Sequence, residues 1–151
     1  IKFSKKFFNN DYKNVASGMA IGINNSKRTA YKWHQEKPYY KRISTIHYQF
    51  PIFNACNLKN GTMSVLTGSH KIGFIKKVKN VKLSKKSINS FVPKNITALK
   101  KKYSEKFINM NLRDEVLFNE NIIHKTNNNI SNKIRFACII RFAEIIDKVT
   151  K

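Results

Sequence analysis

Acidic residues are scarce in this chain: 8 Asp and Glu stand against 30 Lys and Arg, a formal net charge of +22. The excess is mostly lysine, accompanied by abundant Asn and Ile, and it is dispersed. Lysine runs are short: Lys5-Lys6, Lys76-Lys77, Lys85-Lys86 and Lys100-Lys101-Lys102. Charge of this kind governs solubility and non-specific binding rather than fold, and compositional drift accounts for its spread. Cysteine is nearly absent. Cys56 and Cys138 alone exclude a disulfide framework and a cysteine metal cage, and they suit buried thiols in a reducing compartment. No apolar run approaches the ~18 residues that span a bilayer. Residues 1–8 are basic and lack the apolar core of a secretory leader. The expectation is a cytoplasmic protein with no membrane partner. No internal repeat is present.

What is there reads as one domain. A chain of 151 residues with 41% hydrophobic content can bury a real core. Residues 16–23 form an apolar early strand interrupted by glycine. Residues 43–53 alternate, with Ile46, Tyr48 and Phe50 on one side and Thr45, His47 and Gln49 on the other. Lys59-Asn60-Gly61 is a turn, and 62–66 is the next strand. Gly68 and Gly73 bracket a loop. Residues 74–92, rich in Lys and Ser, read as a long connection. Pro93 can open a helix, with Ile96, Leu99, Tyr103 and Phe107 at helical spacing. Residues 107–112, 115–118, 122–126 and 133–142 read as strands, with an Asn-rich turn at 127–132. Many short strands and one helix predict a mostly β fold, a sandwich or jelly roll.

The most informative feature is His34-Gln35-Glu36, answered far downstream by His124 and then Arg135. In an extended segment, side chains two apart point the same way. One segment then supplies both His34 and Glu36, and a distant strand returns His124. Two histidines and one carboxylate can hold one face of a ferrous ion, leaving the opposite face open. A histidine and an acid two apart also arise by chance, so the neighbours matter.

Those neighbours are Trp33-His34-Gln35-Glu36, then Asn60-Gly61-Thr62 leading to Gly68-Ser69-His70-Lys71-Ile72-Gly73, then Asp114-Glu115-Val116-Leu117-Phe118, then the stretch 124–142. In order and spacing they resemble the phytanoyl-CoA dioxygenase family, whose members carry W-H-Q-D, N-G…G-S-H-K-x-G, G-D-x-x-x-F and a distal histidine followed by an arginine. The match runs from about Trp33 to Phe142. The resemblance implies a double-stranded β-helix (a cupin-like jelly roll with one or two short helices), Fe(II) as metal and 2-oxoglutarate as cosubstrate. It implies His34, Glu36 and His124 as metal ligands and catalytic centre. Family members are usually longer, with helices ahead of the barrel, so part of that N-terminal layer is expected to be missing from residues 1–151. Two positions depart from the family pattern: Glu36 stands where Asp is usual, and Arg113 stands where Gly precedes Asp114. A turn without that glycine loses the easy route to positive φ.

The family has its 2-oxoglutarate arginine at the offset of Arg135 from His124, and a hydroxyl residue at the position of Thr126. Strands on either side of 127–132 can pair as a hairpin, which would aim Arg135 at the cavity of His124. An arginine offers a carboxylate a planar bidentate fork that lysine cannot. Arg141 lies on the same side of the strand, ~20 Å further on at ~3.3 Å per residue, too far to serve the same carboxylate. His47 and Gln49, with Thr45, are expected to face the cavity and touch substrate or cosubstrate, with Tyr39 at the pocket mouth. A satisfied core pair remains the alternative for His47 and Gln49. His70 reads as loop-fixing, and Gln35 points away from the metal. The implied activity is hydroxylation of an unactivated C–H bond in a small or acyl-carrier-bound substrate, with an anionic one favoured by the surface charge. Halogenating relatives replace the carboxylate ligand with a small residue, so Glu36 argues for hydroxylation. The alternative is a basic, non-catalytic β-domain that binds nucleic acid or another polyanion.

Overall fold

The computed structural model describes residues 12–23, 30–36, 44–82 and 89–144. The larger of its sheets has four strands: β1 (Tyr12–Gly22), β9 (Arg135–Glu144), β2 (Thr45–Pro51) and β7 (Val116–Asn119), in that order and antiparallel throughout. The smaller sheet places β3 (Met63–Leu66) between β6 (Glu105–Phe107) and β8 (His124–Thr126). Residues 31–34 run alongside β8, so this sheet gains a further edge: Thr126 N donates to Tyr31 O at 3.0 Å, and His34 and His124 exchange both backbone hydrogen bonds. The fold is the expected mostly β jelly roll with one short helix. Among the described residues, no helix is long and apolar enough to cross a membrane.

The alternation in β2 is realised with its polar side inward. Thr45, His47 and Gln49 are all buried, because this face of the large sheet closes over the cavity rather than over an apolar core. The hydrophobic clusters lie elsewhere. Trp33, Leu66, Leu99 and Ile123 form one, with Ile75, Ile96 and Tyr103 packed against it. The helix α1 (Ile96–Lys102) contributes Ile96 and Leu99, with Tyr103 at its end, at the predicted spacing. Phe107 leaves that pattern and sits in β6. Cys56, Met110 and Ala137 form the second cluster, tied by reciprocal 2.8 Å backbone hydrogen bonds between Cys56 and Met110.

Two expectations are corrected. Residues 74–92 are not an irregular connection, since β4 (Val78–Lys82) pairs with β5 (Asn89–Pro93) as an antiparallel two-stranded sheet. Lysines within it mask the period-2 signal. Nor do β8 and β9 form a hairpin: β8 pairs with β3, and β9 pairs with β1 and β2. The Asn-rich segment between them crosses from one sheet to the other. Asn129, 3% exposed, anchors the crossing by donating to Gly22 O and Lys133 O and accepting from Ser131. The Asp114 turn works without glycine, since its carboxylate accepts from Asn111 N and Nδ2 while Asp114 N donates to Asn111 O.

Candidate metal centre and its cavity

The paired backbone of His34 and His124 sets both imidazoles on one side, ring centroids 4.3 Å apart. Each ring is fixed the same way. Nδ1 of His34 donates to Lys32 O at 2.6 Å, and Nδ1 of His124 donates to Ile122 O at 3.1 Å. A carbonyl can only accept, so Nδ1 carries a proton and Nε2 faces inward, the orientation that suits a metal. Glu36, two residues after His34, brings Oε1 to 3.6 Å from Nε2 of His34 and 3.5 Å from Nε2 of His124. One donor atom from each residue falls within 4.8 Å of the other two, a spread that a single divalent cation can bridge.

The electrostatics agree with that donor set. Burial raises the Glu36 carboxyl, but hydrogen bonds and charge from His124 and His34 outweigh it and hold the group well below the usual carboxylate range. Burial pushes the His124 imidazole down, as does His34, against the pull of Glu36. Metal ligation requires an ionised carboxylate and free imidazole lone pairs, so a bound cation would take the place of the imidazole protons that hold Glu36 ionised.

The three donor side chains open on a cavity of about 380 Å³, whose walls also include Tyr31, Gln49, Phe118, Thr126, Ile139, Arg135 and Arg141. Arg135 and Thr126 therefore meet His124 in one space, though by a crossing between sheets and not by a hairpin. Arg135 is 3% exposed, and its Nε is buried with no partner among the described residues. Burial lowers its guanidinium, with the hydrogen-bonded Cys56 thiol pulling the other way. Thr126 pairs with Met63 in the small sheet.

Of the expected substrate contacts, Gln49 lines the cavity. His47 does not line it. Fully buried, it bonds Oγ1 of Thr45 at 3.0 Å and stacks on Phe118 at 5.2 Å, and Phe118 in turn faces His124 at 5.0 Å. Tyr39 lies outside the described residues. Gln35 points away from the metal as expected. Its amide donates to Gly73 O and Asn121 O and accepts from Ile75 N. In the Gly68–Gly73 segment the anchor is Ser69, whose Oγ accepts from Ile123 N at 2.9 Å, while His70 is exposed.

Sequence reasoning set Arg141 aside, yet it lines the cavity and places Nη2 at 3.8 Å from Oε1 of Glu36. Alternation had put it on the correct face. What it lacked was the approach of residues 34–36 from the opposite sheet, which shortens the reach.

The family profile described as Phytanoyl-CoA dioxygenase (PhyH) matches residues 6–137. A search of curated protein sequences finds no match. Solved structures with the same fold include EvdO2 from Micromonospora carbonacea var. aurantiaca, at 12% identity and TM-score 0.72, covering 93% of this chain and 55% of that one. The same EvdO2 complexed with 2-oxoglutarate gives TM-score 0.64. EctD from S. alaskensis is 14% identical with TM-score 0.68, over 89% of this chain and 46% of that one. SnoK, a non-heme alpha ketoglutarate dependent carbocyclase from nogalamycin biosynthesis, is 12% identical with TM-score 0.63, over 89% and 51%. The chain thus spans about half the length of the proteins it resembles.

Proposed function

This chain belongs to the phytanoyl-CoA dioxygenase family, and on that premise we propose that it is an Fe(II)- and 2-oxoglutarate-dependent dioxygenase hydroxylating an unactivated C–H bond of a small molecule. One observation carries the reading: the His34, Glu36 and His124 donors converge within 4.8 Å in a cavity that also holds a buried arginine with an unpartnered Nε. In this reading residues 1–151 act as a single dioxygenase domain.

His34, Glu36 and His124 hold the metal. Bound ferrous iron supplies the redox chemistry that couples decarboxylation of 2-oxoglutarate to oxygen insertion into a C–H bond. Arg135 and Thr126 bind the far carboxylate of the cosubstrate, the arginine through a bidentate fork. The carbonyls of Lys32 and Ile122 keep both imidazoles in the ligating tautomer. Phe118 and Ile139 keep water from the reacting centre, and Gln49 orients the substrate. An excess of 30 basic over 8 acidic residues favours an anionic substrate, an acyl thioester among them.

The test is iron-dependent conversion of 2-oxoglutarate to succinate. Wild type is expected to turn over with added Fe(II), and His34→Ala and His124→Ala to lose turnover. Full turnover in both variants, or none in wild type with iron, ends the assignment.

A further inference from the structure

Among the described residues, Arg141 is the charged group of the cavity to which this reaction gives no role. It sits six residues beyond Arg135 on the inner face of β9, and both arginines line the same space. Its Nη2 stands 3.8 Å from Oε1 of Glu36, longer than a hydrogen bond. That oxygen already faces two imidazoles. Among the described residues, the Nε of Arg141 is buried without a partner, as is that of Arg135. A guanidinium takes a carboxylate side-on through Nε and one Nη, so in both arginines a donor of that edge is unused. Burying an unpaired charged donor is unfavourable unless something arrives to accept from it. With Cα atoms ~20 Å apart at the rise of an extended strand, the two forks serve different carboxylates.

We infer that Arg141 is a second carboxylate-binding residue, placed at the metal end of the cavity and separate from Arg135. The inference rests on the proposed function, which gives the first carboxylate to Arg135. The second has two sources with the same chemistry. One is the 2-oxo acid end of the cosubstrate, adjacent to the metal. The other is the substrate, which is then an organic acid whose aliphatic body suits the walls formed by Met19, Ala20 and Ile139.

The experiment is calorimetric titration of Mn(II)-loaded protein with three probes. These are 2-oxoglutarate, 2-oxobutyrate (which lacks the far carboxylate) and, with 2-oxoglutarate saturating, hexanoate. Arg135→Met reads the proposed function, since it should bind 2-oxoglutarate no better than 2-oxobutyrate. Arg141→Met reads the inference. It should keep its Mn(II) affinity within about threefold and lose about tenfold or more, the scale of a charge-assisted hydrogen bond, in one of two patterns. An equal loss for both 2-oxo acids assigns the cosubstrate end, and a loss for hexanoate alone assigns a substrate acid. Arg141→Lys keeps the charge without the fork and should move in the same direction by less, which separates recognition from misfolding. Unchanged binding of all three acids by Arg141→Met overturns the inference. So does a loss of Mn(II) affinity that matches the loss of acid affinity, because Arg141 then only steadies Glu36. If wild type fails to bind 2-oxoglutarate, the proposed function falls, and 2-oxobutyrate and hexanoate titrated into wild type and Arg141→Met still decide the role of Arg141.

Discussion

Gly22 faces Arg135 across the β1–β9 ladder, and a β-carbon at Gly22 would lie 3.0 Å from the arginine's Nε and 3.3 Å from its Nη2. The missing side chain is what lets the guanidinium lie against β1. Gly22→Ala should therefore push Arg135 aside while leaving the metal ligands untouched. Overpacking of this kind costs about 1–3 kcal/mol. The expected outcome is a Kd for 2-oxoglutarate raised by about tenfold with metal affinity unchanged, measured by titrating the metal-loaded variant.

Gly61 makes a harsher demand. Its φ is +85°, and an added β-carbon would stand 2.7 Å from Asn127 O. Gly61→Ala combines a left-handed residue with a backbone clash, and should cost more than about 2 kcal/mol. Gly18, with nothing within 4 Å of the same construction, is the control. Gly18→Ala should be neutral or slightly stabilising, since it restricts only the unfolded chain. Urea unfolding of both variants checks the contrast.

Gln35 holds three backbone groups from two loops while 1% exposed. Gln35→Leu fills the space but strands two carbonyls and an amide. At about 1–3 kcal/mol per buried unsatisfied group, a loss of at least about 3 kcal/mol is expected by chemical denaturation. The variant His34→Ala should cost less stability, because it removes a ligand rather than a brace.

Burial pushes the His47 imidazole down to about 3 from its ordinary 6.5, with Glu36 opposing and Arg141 assisting. The folded protein thus keeps His47 neutral where the unfolded chain protonates it. Stability from this residue is present above about pH 6.5 and drains away as pH falls toward 3, at about 1.4 kcal/mol per pH unit for one proton. In metal-free protein, the acid limb of the stability curve should be shallower in His47→Gln than in wild type by that one-proton slope. Equal slopes would contradict it.

Local pattern carried the candidate His34, Glu36 and His124 cluster and much of the strand content around it. His34-Gln35-Glu36 announced itself by spacing, and the alternation of β2 separated Thr45, His47 and Gln49 from Ile46 and Tyr48 within one short segment. What it could not carry was pairing. Nothing in residues 124–135 says whether two strands around an Asn-rich turn fold onto each other or onto different sheets, because both choices bury the same faces. The role of Asn129 as a crossing post, the space that Gly22 leaves for Arg135 and the approach of Arg141 to Glu36 all follow from that choice. Whether His47 reaches the cavity was left open for a similar reason. Period 2 gives the face of a strand but not which position along it lies behind a neighbour such as Phe118.

The crossing between sheets has a mechanical consequence. Residues 31–36 and β8 carry the proposed metal ligands on one leaf, and β9 carries both arginines on the other. A cation gripped by the first and a dicarboxylate gripped by the second become a clasp across the gap. Loading the protein should then slow hydrogen exchange in β8 and β9 together and raise the melting temperature with ligand concentration, as mass action requires. Unloaded, the two leaves would be free to breathe along the line where the proposed reaction takes place.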